Sequence, residues 1–144
     1  MMEKVFSKRF ETPNSHKLET YLRDGGYESA KKAITTMTPD QIIAIVKNAK
    51  LRGLGGAAFS TGMKWSFIPK DNPNPKFIVV NADEGEPGTF KDRYIICKDP
   101  HLMIEGILIA CFAIGSHKSY IYIRGEYVEP ARILEEAVAE AYAK

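Results

Sequence analysis

Cysteine is scarce in this chain of 144 residues: there are two, Cys97 and Cys111, and no CxxC pair. Two thiolates cannot by themselves fill a four-ligand zinc or iron–sulfur site, so no metal centre is expected from cysteine. Both lie among apolar neighbours, which points to buried, reduced thiols and to a reducing compartment, the cytoplasm. Charge of one sign is also lacking. Twenty Lys and Arg face 18 Asp and Glu, for a net charge of +2. That leaves no broad phosphate-neutralising surface, and no nucleic-acid partner is expected. Long hydrophobic runs are missing too. The longest, residues 102–114, is broken by Glu105 and Gly106 and is too short for a bilayer, so no direct membrane insertion is expected. Residues 1–11 mix Glu, Lys, Arg and Phe without the apolar stretch of a signal peptide.

What remains is ordinary globular composition, 44% hydrophobic and 26% charged, in a chain of single-domain size. Residues 1–14 are polar with a proline at position 13, and are expected to be an extended arm that docks on a partner or a neighbouring domain. Two short helices are expected at 16–23 and 27–36. The plainest helix start is Thr38-Pro39-Asp40-Gln41, an N-cap, an N1 proline and a capping box, with Ile42, Ile43, Val46 and Ala49 forming an apolar face. A β-branched run at 77–80 predicts a buried strand, and alternating Tyr and Ile at 119–123 a second, in which Tyr120 and Tyr122 are taken as packing residues. Between them, Asp99-Pro100 is expected to cap a helix that stops at Gly115, with His101 a first-turn residue and no ligand. A last helix opens at Pro130. Strand, helix, strand, helix predicts a parallel pair and an α/β fold.

Two segments carry candidate chemistry. The first is the glycine loop, residues 53–62, followed by Lys64, Trp65 and Phe67. Gly53 to Ala58 fits G-x-G-x-x-G/A, but a helix precedes it where the dinucleotide fingerprint needs a strand, and the lysine spacing is not that of a Walker A loop. Small residues still allow main-chain N–H groups to approach a flat or anionic ligand, with Lys64 and Arg52 supplying charge and Phe59, Trp65 and Phe67 offering ring faces. The alternative is a flexible loop whose glycines only turn the chain. The second segment, Asn81-Ala82-Asp83-Glu84-Gly85-Glu86-Pro87-Gly88, leaves the first strand, at the end where open α/β sheets bind ligands. Asn81 can donate and accept, as a flavin pyrimidine edge requires, and the carboxylates can accept from ring N–H or ribose hydroxyl groups. A divalent-cation site and a solvated loop are the alternatives.

The text Leu51-Arg52-Gly53-x-Gly55-Gly56-Ala57-x-Phe59-x-Thr61-Gly62-x-Lys64-Trp65, then Asn81 to Thr89, Lys91-Asp92-Arg93, Asp99-Pro100-His101 and Tyr122-Ile123-Arg124-Gly125-Glu126, resembles the FMN- and NADH-binding subunit of respiratory complex I. The same family supplies the diaphorase subunits of NAD-linked hydrogenases and formate dehydrogenases. The resemblance runs from about Tyr21 onward. It implies an arm with short helices over 1–37, then, over 38–144, the first part of a Rossmann-like FMN-binding α/β domain with a parallel sheet. By motif match, Gly53, Gly55, Gly56, Lys64, Asn81, Asp83 and Glu84 would hold FMN, while Phe59, Phe67 and Glu86 would face NADH. FMN would take the hydride, so no catalytic acid or base and no metal ligand is expected in this chain. Arg124 and Glu126 would stand behind the site.

The resemblance further implies partners: a small 2Fe-2S subunit, a larger iron–sulfur subunit, and the remainder of a split or truncated flavoprotein subunit. Such a subunit would sit peripherally on the cytoplasmic face of the membrane through those partners. The 4Fe-4S cluster of the family is expected only in that remainder or a partner, and half a flavin site here. Three positions depart from the usual pattern: Leu54 stands for Arg, Ala58 for Gly, and Ser60 for a frequent Pro.

Overall fold

Helix α6, Pro100–Ile114, is apolar almost all round, and such a helix is stable only when covered on several sides. In the computed structural model, which describes residues 4–144, that cover comes from nearly every other element. In chain order these are α1 (Leu18–Arg23), α2 (Glu28–Thr36), α3 (Pro39–Asn48), α4 (Thr61–Ser66), β1 (Phe77–Ala82), α5 (Asp92–Lys98), α6, β2 (Lys118–Ile123) and α7 (Val128–Tyr142). Ala33, Ile42 and Ala113 form one buried cluster, joined by Trp65, Ile109 and Phe112. Ala82, Ile96 and Leu134 form another, joined by Met103, Ile121 and Ile123. Alanines at these contacts let the helices approach closely, and each buried Ile or Leu contributes roughly 1.5–3 kcal/mol.

The expected parallel pair is present. Phe77 lies opposite Lys118 and Ala82 opposite Ile123. The Ser116 hydroxyl shares its one proton between the carbonyls of Lys76 at 2.8 Å and Lys118 at 2.9 Å, pinning the strands at their N-terminal ends. Ile78, Val80, Ile121 and Ile123 face inward. Phe77, Val79, Asn81, Tyr120 and Tyr122 share the open face. Tyr120 and Tyr122 are thus exposed at 49% and 61%, not packed: alternation shows that two faces exist but not which one is covered.

The capping box at Thr38 forms as expected, with Gln41 N–H donating to the Thr38 hydroxyl and Thr38 N–H to the Gln41 side chain. Gly115 ends α6 in the left-handed conformation, φ 70°. Asp99 does not cap α6 with its side chain. Its carboxylate accepts from Arg9 Nε at 2.9 Å and pairs with Arg9 Nη2 at 2.8 Å, both at Oδ2. The described part of the N-terminal arm, whose first three residues lie outside the described residues, is accordingly not extended. It is a run of turns folded back onto this same chain, and Arg9 also lies over the Tyr21 ring, 4.6 Å from its centroid. Behind it, buried Glu105 accepts from the Tyr21 hydroxyl and from the N–H groups of Tyr27 (3.0 Å) and Ala30 (2.9 Å), closing the N-terminus of α2 from a distant helix. His101 is fully buried, with Nδ1 2.9 Å from the Tyr27 hydroxyl and Nε2 3.1 Å from Glu140. Burial pushes its pKa below the ordinary value, against the pull of Glu140. Burial also pushes the Tyr27 hydroxyl up to about 12, helped by Glu105 and Glu140. The two cysteines are half-buried, and burial raises both thiols.

Candidate functional site

The glycine loop is closed at its base. Arg52 and Ser60 form an antiparallel bridge, Gly53 N–H donates to Phe59 O at 2.9 Å, and Thr61 N–H to Leu51 O at 2.9 Å. Between these bonds the backbone is solvent-facing, and a Cβ at Gly55 or Gly56 would meet nothing within 4 Å. Gly56 (φ 110°) and Ala58 (φ 49°) both adopt the left-handed region. For Ala58 that conformation costs roughly 1–2 kcal/mol, which gives a physical reason for the glycine usual at this position. Ser60 begins α4: its hydroxyl accepts from Met63 N–H at 3.4 Å. This helix was missed in the sequence; a serine three residues ahead of Met63 was the available signal. Gly62 lets α4 lie directly against α3.

Lys64 on α4, with Phe59 and Phe67, borders a cavity of about 830 Å³ that also takes in Gly53, Gly55 and the open face of β1 at Phe77 and Val79. The two phenylalanine rings lie 6.1 Å apart, tilted at 54°. A neighbouring cavity of about 670 Å³ is bordered by Gly55, Gly56, Asn81, Asp83, Glu84 and Glu86. Gly55 belongs to both. The ten site residues expected from the sequence therefore meet at two adjoining cavities within the usual ligand-pocket range of about 300–1,000 Å³. Lys64 groups here with the two phenylalanines, and Glu86 with Asn81 and Asp83.

The acidic turn is closed by its own short-range hydrogen bonds, one of them to a side chain. Asn81 Oδ1 accepts from Asp83 N–H at 2.9 Å, Gly85 N–H donates to Asp83 O at 3.0 Å, and Thr89 N–H to Glu86 O at 3.1 Å. Asp83 and Glu86 are exposed, whereas Glu84 is buried. The Glu84 carboxylate accepts from the N–H groups of Lys91 and Asp92, each at 2.6 Å, from Arg93 N–H at 3.2 Å, and from the Tyr127 hydroxyl at 3.3 Å. Burial pushes its pKa up, but these four donors outweigh burial and leave it below the ordinary value. Glu84 thus caps α5, a helix that went unseen in the sequence because its cap lies seven residues or more upstream. Among the described residues, no group of three or more His, Cys, Asp and Glu is arranged to hold a metal ion. No described helix is long and apolar enough to cross a membrane.

A family model described as the Nuo51 FMN-binding domain matches residues 46–144. The F 2 subunit of NADH-quinone oxidoreductase in Rhizobium meliloti (strain 1021) is 52% identical over 142 residues, covering 99% of this chain and 34% of its own length. The F subunit of the same oxidoreductase in Aquifex aeolicus (strain VF5) is 53% identical over 137 residues, covering 95% of this chain and 32% of its own. The chain spans about a third of the length of these curated relatives. A crystal structure of an NAD+-reducing NiFe-hydrogenase in the air-oxidized state superposes with a TM-score of 0.73 at 32% identity, over 98% of this chain and 23% of the other.

Proposed function

The chain belongs to the Nuo51 FMN-binding domain family, and from that premise we propose that it forms one wall of a site where NADH reduces FMN, within a longer NADH-quinone oxidoreductase flavoprotein subunit. The observation that carries the proposal is the convergence of a glycine loop, a lysine, paired phenylalanines and an acceptor-rich turn on two cavities that share Gly55. The donor set fits FMN. Exposed main chain at Gly55 and Gly56, with the Lys64 ammonium, suits a phosphate-bearing ligand, while the Gly53 N–H is taken by Phe59 O and closes the loop. Asn81 and Asp83 supply the hydrogen-bonding edge that a flavin pyrimidine needs.

When bound, FMN supplies the redox chemistry, accepting a hydride from NADH and releasing electrons singly. The protein's part is positioning. Phe59 and Phe67 offer exposed rings to a nicotinamide or adenine, and Glu86 offers an acceptor to a ribose or carboxamide. Glu84 acts through its backbone and its cap on α5 rather than through a free carboxylate. The electrons would pass to iron–sulfur clusters in the rest of the subunit and in its 2Fe-2S and larger iron–sulfur partners, so that the assembly is peripheral to the membrane. The likeness to an NAD+-reducing hydrogenase supports a second reading, in which the acceptor is a hydrogenase subunit.

The test is flavin titration followed by quenching of FMN fluorescence, with the full-length subunit and with this 144-residue chain. The full-length subunit should bind FMN stoichiometrically, and Lys64→Ala should weaken binding about tenfold or more, the loss of one charge-assisted phosphate contact. A full-length subunit that binds no FMN in its natural complex refutes the proposal.

A further inference from the structure

Asp83 and Glu86 are exposed beside the cavity while the carboxylate between them, that of Glu84, is buried and faces away. Glu84 is held there at both ends. Its carboxylate is taken up by α5, and its carbonyl oxygen accepts Arg124 Nη1 at 3.1 Å and the Tyr127 hydroxyl at 3.3 Å. Both donors come from the segment that leaves β2 at the same end of the sheet, with Ala82 opposite Ile123 in register. Arg124 is itself fixed. Its Nε and Nη2 donate to the two Glu126 carboxylate oxygens, each at 3.2 Å, and its guanidinium lies 5.6 Å from the Tyr127 ring centroid. The remaining guanidinium nitrogen, Nη1, is then aimed at the acidic turn. Arg124 also brings positive charge within electrostatic reach of Asp83, which offsets the mutual repulsion of the turn's carboxylates.

We propose that Arg124 and Tyr127 are positioning residues that clamp the acidic turn through Glu84, presenting Asp83 to the flavin and Glu86 to the bound dinucleotide. This rests on the FMN–NADH reading above. Neither residue borders either cavity, so both act through the turn. Tyr127 is the more informative of the two. Its hydroxyl lies 3.3 Å from both the carbonyl oxygen and Oε2 of Glu84 and shares its one proton between them, so one oxygen ties the turn to the cap of α5.

The experiment uses the full-length, FMN-loaded subunit in its complex, with rates expressed per bound flavin. Tyr127→Phe and Arg124→Met should each raise the KM for NADH about fivefold, the loss of a single hydrogen bond, with kcat within about twofold of the parent. Arg124→Lys should recover most of the loss. In parallel, amide exchange over residues 85–93 should quicken in Tyr127→Phe while that of α3 is unchanged. A KM per bound flavin that stays at the parental value overturns the proposal, even if flavin occupancy or stability falls, since that pattern marks a purely structural role. A parent complex that binds no flavin refutes the proposed function rather than the clamp. Exchange then decides alone: faster exchange over 85–93 upholds the clamp and unchanged exchange overturns it.

Discussion

Gly62→Ala sets two opposing effects against each other at a place where the structure decides the sign. Gly62 is the second residue of α4, buried against α3. Replacing glycine by alanine inside a helix ordinarily gains about 1 kcal/mol. Here an added Cβ would stand 2.5 Å from Lys47 N, 2.7 Å from Lys47 Cα and 2.9 Å from Lys47 Cβ. Two of those three atoms are backbone, in a helix anchored by its capping box and by Ile42 in the core, so no side chain can swing aside. Overpacking costs about 1–3 kcal/mol, and contact with main chain places this site at the upper end, for a net loss of about 2 kcal/mol. At roughly 3–4 °C per kcal/mol for a domain of this size, the unfolding midpoint should fall by about 6–8 °C. Gly55→Ala is the matched control. Its Cβ would meet nothing within 4 Å, so stability should stay within about 0.5 kcal/mol of the parent, while FMN affinity falls because Gly55 borders both cavities. Thermal unfolding followed by far-ultraviolet circular dichroism, with flavin titration alongside, separates the two variants. A Gly62→Ala protein that melts within about 1 °C of the parent would refute the close approach of α4 to α3.

Arg9→Met should cost about 3–5 kcal/mol at neutral pH, because it leaves Asp99, 1% exposed, as an unpaired buried charge. Burial already pushes the Asp99 carboxyl up despite Arg9, so in the variant the folded protein takes up a proton more readily than the unfolded chain. The penalty should therefore shrink as pH falls, and urea unfolding at pH 7 and pH 5 checks this; a penalty equal at both sinks the reasoning. His101 has the opposite sign. Burial holds its folded pKa below the ordinary 6.5 against Glu140 and Asp99, with His16 adding to the depression, and with Tyr21 and Tyr27 packed on the ring. The unfolded chain binds the proton that the folded one refuses, so stability rises with pH through that window and levels off above about 6.5. His101→Gln should flatten the profile below about pH 6.5, measured as unfolding free energy against pH; an unchanged slope would mean that another group sets it.

How much of this was legible in the sequence follows from how local each signal is. The α3 capping box lies within four consecutive residues and was readable in full. So were both strands, their parallel pairing and the Gly115 stop, which depend on runs and single residues. The helix start at Asp99-Pro100 was readable as well, but not the role of the Asp99 carboxylate, since the partner that takes it, Arg9, is 90 residues away. Helix α5 was missed for the same reason: nothing beside Lys91 announces its start, since the cap is the side chain of Glu84. The N-terminal arm was expected to extend toward a partner or a neighbouring domain because its anchor within the chain, Arg9 to Asp99, is long-range.

The candidate site divides along the same line. Residue types made each segment a candidate, the match to the family's motifs named the residues, and all ten named positions border the two cavities. Spacing could not tell which carboxylate of the acidic turn is free. Asp83, Glu84 and Glu86 are equivalent as letters, and only the fold separates them, burying the middle one under α5 and Tyr127 and leaving the outer two exposed. A cluster of like charges at the end of a strand is costly unless one member is neutralised by donors. Here the N–H groups of Lys91, Asp92 and Arg93, with the Tyr127 hydroxyl, neutralise Glu84. The charge left facing the cavity is therefore that of Asp83 and Glu86, and a substitution at Glu84 should be read first as damage to the turn and to α5, and only then as loss of a ligand contact.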